Sequence, residues 1–540
     1  MNSKRAFRII GIVLGIVLVF GLSLAGGFLV MQNRSQGGGV NIDEAHFPDG
    51  NFRVFVGGYD TNGDGKLSTS ELHEVKSIAY KNKESVISSL KGIEQFTKLR
   101  SLEINYQGIT ELDLSENKNL EVLDCRNNAL TNLNLSQNKN LVHLDCSDNQ
   151  LSQLNVSENK KLKSLWCDWN QLKDLSVDQN EKIESLWCTN NKLTALNVDH
   201  NSNLEVLKCG SNSLQTLNVS YNKKLEYLQC SANQIAELNV SSNEDLLVLS
   251  CSENKLTSLD VSSCPKLQSM TVAKNDITSL DLSNNMELVG LNCNTTLIEE
   301  LDLSGHSKLR NLNCKYDKKD EDNKDLIGNL TTLNLTGVDD LRKLICDFNL
   351  LEQLNVSGMP ELSYLSCKGN KLKELNITQN KKLDKLLCDE NQLEQLDVSQ
   401  NSLLTELRCA KNKMSGLDIT MCSQISILSC KNNPITTMDL GSNSELTELH
   451  ADGMKLTQLD LNANSKLVKV YCSKNELTEL NASALPNLEV MECRNNHLTS
   501  LDLSGSPKLK TLNCAGEGLE TIELADGVNP EGDWKERAAG

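Results

Sequence analysis

Several ingredients that functions depend on are scarce in this chain. Aromatic residues make up 4% of its 540 positions, and 54 Lys and Arg face 72 Asp and Glu, a formal net charge of -18. The lysines are scattered through turns among more numerous acids. Phosphate contact needs a basic stripe, so this distribution argues against nucleic acid as a partner. The 7 histidines are dispersed, and GxSxG, HExxH and phosphate-cradling glycine loops are absent, which points away from an enzyme. No cysteine precedes Cys125, which excludes a lipid-modified N-terminal cysteine. No two of the 19 cysteines lie closer than eight residues, so the CxxC spacing of metal-thiolate sites is missing. There is one long apolar run, with no second candidate span and no sorting motif near the C-terminus.

What the chain does have is a clock. Cys125, Cys146, Cys167, Cys188, Cys209, Cys230 and Cys251 recur every 21 residues; the series skips at Val272 and returns at Cys293 and Cys314. After an 11-residue insertion it restarts at Cys346, skips once more at Ala451 and ends at Cys514. A fixed period of this length signals a solenoid, in which each turn packs only on its neighbours. Each unit nests two halves, LxxLxCxxNx and LxxLxLSxNxx, so two short strands per turn are expected. In triplets such as Leu123, Asp124, Cys125, apolar residues flank a polar one, which buries Leu and Cys and exposes the middle residue.

Asparagine follows three residues after nearly every ladder cysteine, from Asn128 and Asn149 to Asn254 and Asn275. An amide both donates and accepts, so a stack of them can satisfy the backbone of successive turns. Seventeen cysteines lie on the inward ladder, where Cys serves as a small apolar residue, and Cys264 and Cys422 stand where the second half-unit usually has Asn. Disulfides between neighbouring turns are the rival reading, since strand spacing permits the Cα distance. In-register side chains point alongside one another, which suits packing better.

These motifs resemble the leucine-rich repeat family, specifically its bacterial class of alternating 10- and 11-residue halves, over residues 99–524. The resemblance implies a mostly β repeat solenoid with about two short parallel strands per turn. It says little about ligand, because one fold hosts many functions.

The N-terminus differs from everything after it. A basic flank, 1–8, precedes the uncharged segment 9–31, long enough to cross a bilayer as a helix. Lys4, Arg5 and Arg8 should stay cytoplasmic, which exports the remainder. The run exceeds a signal-peptide core, favouring an uncleaved single-pass anchor; cleavage after Ala25 is the alternative and would give a secreted protein. Residues 32–40 read as a flexible linker and 41–98 as a cap leading into the repeats.

Within that cap, DTNGDGKLSTSE satisfies the calcium-loop pattern of an EF-hand. Asp60, Asn62 and Asp64 would present side-chain oxygens, Lys66 its carbonyl, Ser68 a direct or water-mediated contact, and Glu71 a bidentate closure, binding one Ca²⁺. The flanking IDEAHFPDGNFRVFVGGY and TSELHEVKSIAY are expected to be helices, although Gly57 and Gly58 weaken the first. A chance match in a chain rich in Asp, Asn and Gly is the bland alternative. The single loop resembles dockerin-type modules only in part. The whole segment looks like the N-terminal module of surface leucine-rich repeat proteins of Gram-positive bacteria, which implies a helical cap over the apolar end of the solenoid.

Two further segments stand out. The insertion 315–325, KYDKKDEDNKD, holds nine charges and no aliphatic residue and reads as a solvent loop; the tail 525–540 carries no obvious cap beyond Trp534.

Three of the four tryptophans, Trp166, Trp169 and Trp187, fall in two consecutive turns. Trp166 and Trp187 share the exposed position before the cysteine and should lie side by side, with Asp145, Asp148, Asp168, His143 and Tyr227 nearby. Elsewhere that position is mostly polar. Such a cluster suits stacking on a sugar or anchoring a protein, while cross-strand packing would also explain it.

The recurring Asp of LDL triplets could be imagined as paired catalytic acids, but a periodic ladder fills the position structurally. The reading that follows is a non-catalytic, membrane-anchored extracellular protein that recognises a protein or glycan at a bacterial cell surface. A structural spacer of the cell envelope is the alternative.

Overall fold

A computed structural model describes residues 39–82, 84–317, 319, 325–515 and 518–536. The segment 9–31, its basic flank and nearly all of the linker lie outside these, as does the middle of the charged insertion. Among the described residues no helix is long and apolar enough to cross a membrane.

The repeats build one long parallel ribbon of 21 three-residue strands, running from Ser77–Ala79 to Thr511–Asn513. Registers match residue for residue: Leu123 pairs with Leu144, and Leu144 with Leu165. The central residue of each strand points into the core and its two neighbours share the opposite face. The residue after each strand, usually cysteine, returns to the core. All 19 cysteines are buried and free, in agreement with a ladder of packed thiols. Burial pushes the Cys230 and Cys293 thiols up to about 12, so little thiolate exists at neutral pH.

The two-strand expectation fails in most turns. Among the described residues second-half strands form only in three pairs, Glu300–Asp302 with Thr332–Asn334, Gln458–Asp460 with Glu479–Asn481, and Ser500–Leu503 with Thr521–Leu524. A period-two pattern reports which side chains are buried; it does not report whether the backbones pair.

Elsewhere two amide ladders join the turns. Asn149 Nδ2 donates to Cys125 O of the preceding turn and to Cys146 O of its own, each at 3.1 Å, while its Oδ1 accepts from Leu130 N at 3.0 Å. The same set recurs at Asn170 and Asn191. On the other half-unit, Asn138 Nδ2 bridges Leu114 O and Asn117 O at 3.0 Å. Cys264 and Cys422 occupy that second ladder, with Sγ facing the carbonyls of Val240 and Asn243, and of Val398 and Asn401.

Both ends are closed. A helix over Gly50–Gly57, N-capped by Asp49, buries Phe52 and Val56 beside Phe47 and Phe96. The second expected helix is cut to Thr69–Glu74, because extended backbone at Val75 leads straight into the first ribbon strand at Ser77. At the far end the tail does form a cap. Glu531 bridges Thr511 in parallel, Asp533 Oδ1 accepts from Cys514 N and Ala515 N, and half-buried Trp534 packs on the core.

Candidate ligand surface and calcium loop

On the ribbon's outward face, register alone brings Trp166 opposite Trp187. Their rings stack at 4.4 Å between centroids and 14° between planes. His143 meets Trp166 edge-on at 4.7 Å, and Lys208 Nζ sits 3.5 Å from the Trp187 ring and 5.5 Å from that of Tyr227. The side-by-side expectation is met; the expected exposure is not. Trp166 is only 7% exposed, and its Nε1 donates to Ser185 Oγ at 3.3 Å. His143 is likewise buried, while Trp187 and Tyr227 are half-buried. Stacked neighbours cover one another's faces, an effect that alternation of polar and apolar positions cannot reveal.

Trp169 is the open aromatic, 60% exposed. It stands two residues beyond Cys167, where the chain leaves the ribbon in a left-handed turn, with φ of 53°. The same position in other turns holds Asn127, Asn190, Asn432 and Asn495 in that conformation. Asn tolerates it, whereas a bulky side chain there costs on the order of 1 kcal/mol. Asp148 occupies this column one turn earlier, exposed.

Asp145 lies beneath this surface, 2% exposed. Burial, reinforced by Asp124, pushes its carboxyl up to about 6 despite Arg126 at 3.3 Å. Asp168 rises to about 6 for the same first cause, and burial lowers His143 to about 4. Sequence reasoning passed over Arg126 and Lys208. Lys208 stands one 21-residue period after Trp187, and Arg126 follows the residue one period before Asp145 by two positions, which was the available signal.

The Asp60–Glu71 loop folds on its own side chains. Asp60 accepts from Gly63 N and Gly65 N at 2.7 and 2.9 Å, Asn62 Oδ1 from Asp64 N at 2.9 Å, and Asp64 Oδ1 from Lys66 N at 2.9 Å. Glu71 forms a capping box with Ser68 and also accepts from Thr61 N and Oγ1. Burial alone would raise its pKa, but the bonds from Thr61 and Ser68 outweigh it and hold the carboxyl at about 2. An all-oxygen donor set of this kind suits a hard cation. Among the described residues no three Asp, Glu, His or Cys side chains converge as a metal-binding group, because each carboxylate is turned to the loop's own donors.

No protein-family model and no curated protein matches the chain. Its solved structural neighbours are leucine-rich repeat proteins. The functional domain of InlJ from Listeria monocytogenes, which includes a cysteine ladder, is 29% identical; the match covers 79% of this chain and 85% of that one with a TM-score of 0.60. A leucine-rich repeat protein of Leptospira interrogans is 22% identical over 75% of this chain and 98% of that one, with a TM-score of 0.53. The Arabidopsis receptor kinase HAESA, solved with a peptide hormone and a co-receptor, is 18% identical over 83% and 82%, with a TM-score of 0.62. The last two likenesses concern the fold alone.

The raised Asp145 carboxyl makes a stability prediction. Its pKa in the folded chain lies above the unfolded value near 3.8, so its contribution is complete below about 3.8 and is lost as pH rises through about 6. Asp145→Asn should therefore melt at a higher temperature than the parent at pH 7.5, and the gap should shrink as pH falls below about 6 and close only near and below about 3.8. Thermal denaturation of both proteins across this range is the check; His143, shifted oppositely, is common to both. A gap that stays constant would show that burial does not govern Asp145.

Proposed function

We propose that this chain is a non-catalytic recognition protein of a bacterial cell surface, anchored by residues 9–31 with its repeats outside. It binds a protein partner across the ribbon face between Asp124 and Gln229. One observation carries the reading: Trp169 is a largely exposed aromatic held in a backbone conformation that disfavours it. Most other turns place a polar residue at this position, so an exposed indole beside the aromatic cluster is a local departure of the kind that anchors a partner.

A protein suits this surface better than a glycan. The flat faces of Trp166 and Trp187 are covered by each other, by His143 and by Lys208, which leaves Trp169 as the one open indole of the cluster. HAESA, solved with a peptide hormone, shows that a solenoid of this fold can hold a protein segment. The ribbon's length favours a second reading, an envelope spacer, since 21 strands at about 4.8 Å reach roughly 100 Å.

The Asp60–Glu71 loop is assigned one calcium ion, held by Asp60, Asn62, Asp64, Lys66, Ser68 and Glu71. It would order the cap that seals the apolar end of the solenoid.

Two experiments test this account. Trp169→Asn should stabilise the fold by about 1 kcal/mol through relief of left-handed strain. Pull-downs from surface-exposed proteins should lose their partner with this variant; capture that survives, or a fall in stability, would sink the recognition reading. For calcium, the melting temperature of the parent should rise as Ca²⁺ is added at about 0.1 to 1 mM, the range of extracellular sites. Glu71→Ala should abolish the rise. An unchanged rise in the variant would refute the ligand set.

A further inference from the structure

A second surface lies on the same ribbon face, between Ile345 and Tyr471. A shallow cleft of about 340 Å³ is lined there by residues including Phe348, Lys368, Asp389, Arg408, Lys431 and His450. Counting every lining residue, Lys368, Arg408, Lys411 and Lys431 oppose Asp389 and Glu390, a local excess of positive charge in a chain of net charge -18. Two of the cations are occupied, Arg408 by Glu406 and Lys411 by Glu390 at 2.7 Å. Lys368 and Lys431 are half-buried and enter no direct ion pair among the described residues, although Lys368 feels Asp347 and Asp389, and Lys431 feels Asp452, at longer range.

Their placement is regular. Lys368 and Lys431 hold the same position of the turn three turns apart, with Asp389 and Ala410 between them. Asp389 is turned down, accepting from Ala410 N at 2.9 Å, and Ala410 adds almost no bulk, so the floor between the lysines stays low. One end is walled by Phe348, whose ring lies over Gly369; a Cβ there would come within 2.4 Å of the ring. The other is walled by His450, stacked on Tyr471 at 4.6 Å and hydrogen-bonded to Glu448 at 2.6 Å.

We infer that this cleft binds an extended acidic segment of a partner protein, lying along the ribbon axis with two carboxylates four residues apart, one on Lys368 and one on Lys431. Three turns at about 4.8 Å separate the lysines by roughly 14 Å, and four residues of extended chain cover about 13 Å. Half-buried lysines without a direct ion pair gain more from a carboxylate than exposed ones, because water screens the pair less. An aliphatic side chain between the two acids would rest against Ala410 and Phe348. The site is independent of the Trp169 surface, many turns away on the ribbon.

The test uses the full chain and fluorescein-labelled eight-residue peptides of Val and Thr carrying two aspartates separated by two, four or six positions, with a neutral Asn peptide as control. Fluorescence polarisation at low salt should show tightest binding at the four-residue spacing. Lys368→Gln combined with Lys431→Gln should weaken it at least tenfold without moving the melting temperature, and Trp169→Asn should leave it unchanged. Absence of binding, affinity that ignores spacing, equal binding of a flexible polyphosphate, or full affinity in the double variant would each overturn the proposal. Loss of partner capture in Trp169→Asn with peptide binding intact separates failure here from failure of the Trp169 surface.

Discussion

Most turns of this molecule depend on one buried amide each. Each asparagine of the first ladder donates to carbonyls of two successive turns and accepts an N–H from the preceding one. It ties successive turns together just beyond the ribbon strands, where the chain enters the half-unit in which most backbones do not pair. Its removal would leave two carbonyls and an N–H without these partners, each costing about 1 to 3 kcal/mol if left buried and unpaired. The second ladder is more tolerant: it uses only the amide's donors, leaving Oδ1 without a partner at Asn138, Asn159 and Asn180. Cys264 and Cys422, weak donors, can therefore stand in for Asn.

That constraint also decides where variation is free. To swing the asparagine inward the chain turns left-handed two residues after the cysteine, and the residue at that turn points to solvent. Its side chain does nothing for the ladder, so Asn, Asp, Lys, Trp and Phe all occur there. The outer residues of each strand are equally unconstrained by the core. A rigid scaffold thus presents a column of turns and two columns of strand side chains, and both proposed surfaces are written in those columns.

The period made the ladders, their buried thiols and the pairing of Trp166 with Trp187 legible before any coordinates. Exposure of those indoles was not legible, because it is set by neighbours stacking on one another: His143 and Lys208 are ordinary residues until register places them against the rings. Pairing in the second half-unit was misread for a related reason, since burial and hydrogen bonding leave the same alternating pattern. The tail's role at Glu531 and Asp533 was also hidden, for it depends on contact with a strand edge across 20 residues of chain. The Asp60–Glu71 loop was visible as a ligand pattern, yet the sequence could not show its carboxylates satisfied by the loop's own donors.

Hydrogen exchange of the native chain, read residue by residue, tests the central claim that side-chain amides rather than a second sheet hold the turns. The amides of Leu130, Leu151 and Leu172, each bonded to an asparagine Oδ1, should exchange only with global unfolding. Those of Asn132 and Gln153, which have no hydrogen bond to a neighbouring turn among the described residues, should exchange orders of magnitude faster. Equal protection at both sets would mean that the second half-units pair as strands after all; rapid exchange at the three leucines would mean that the ladder does not carry the fold.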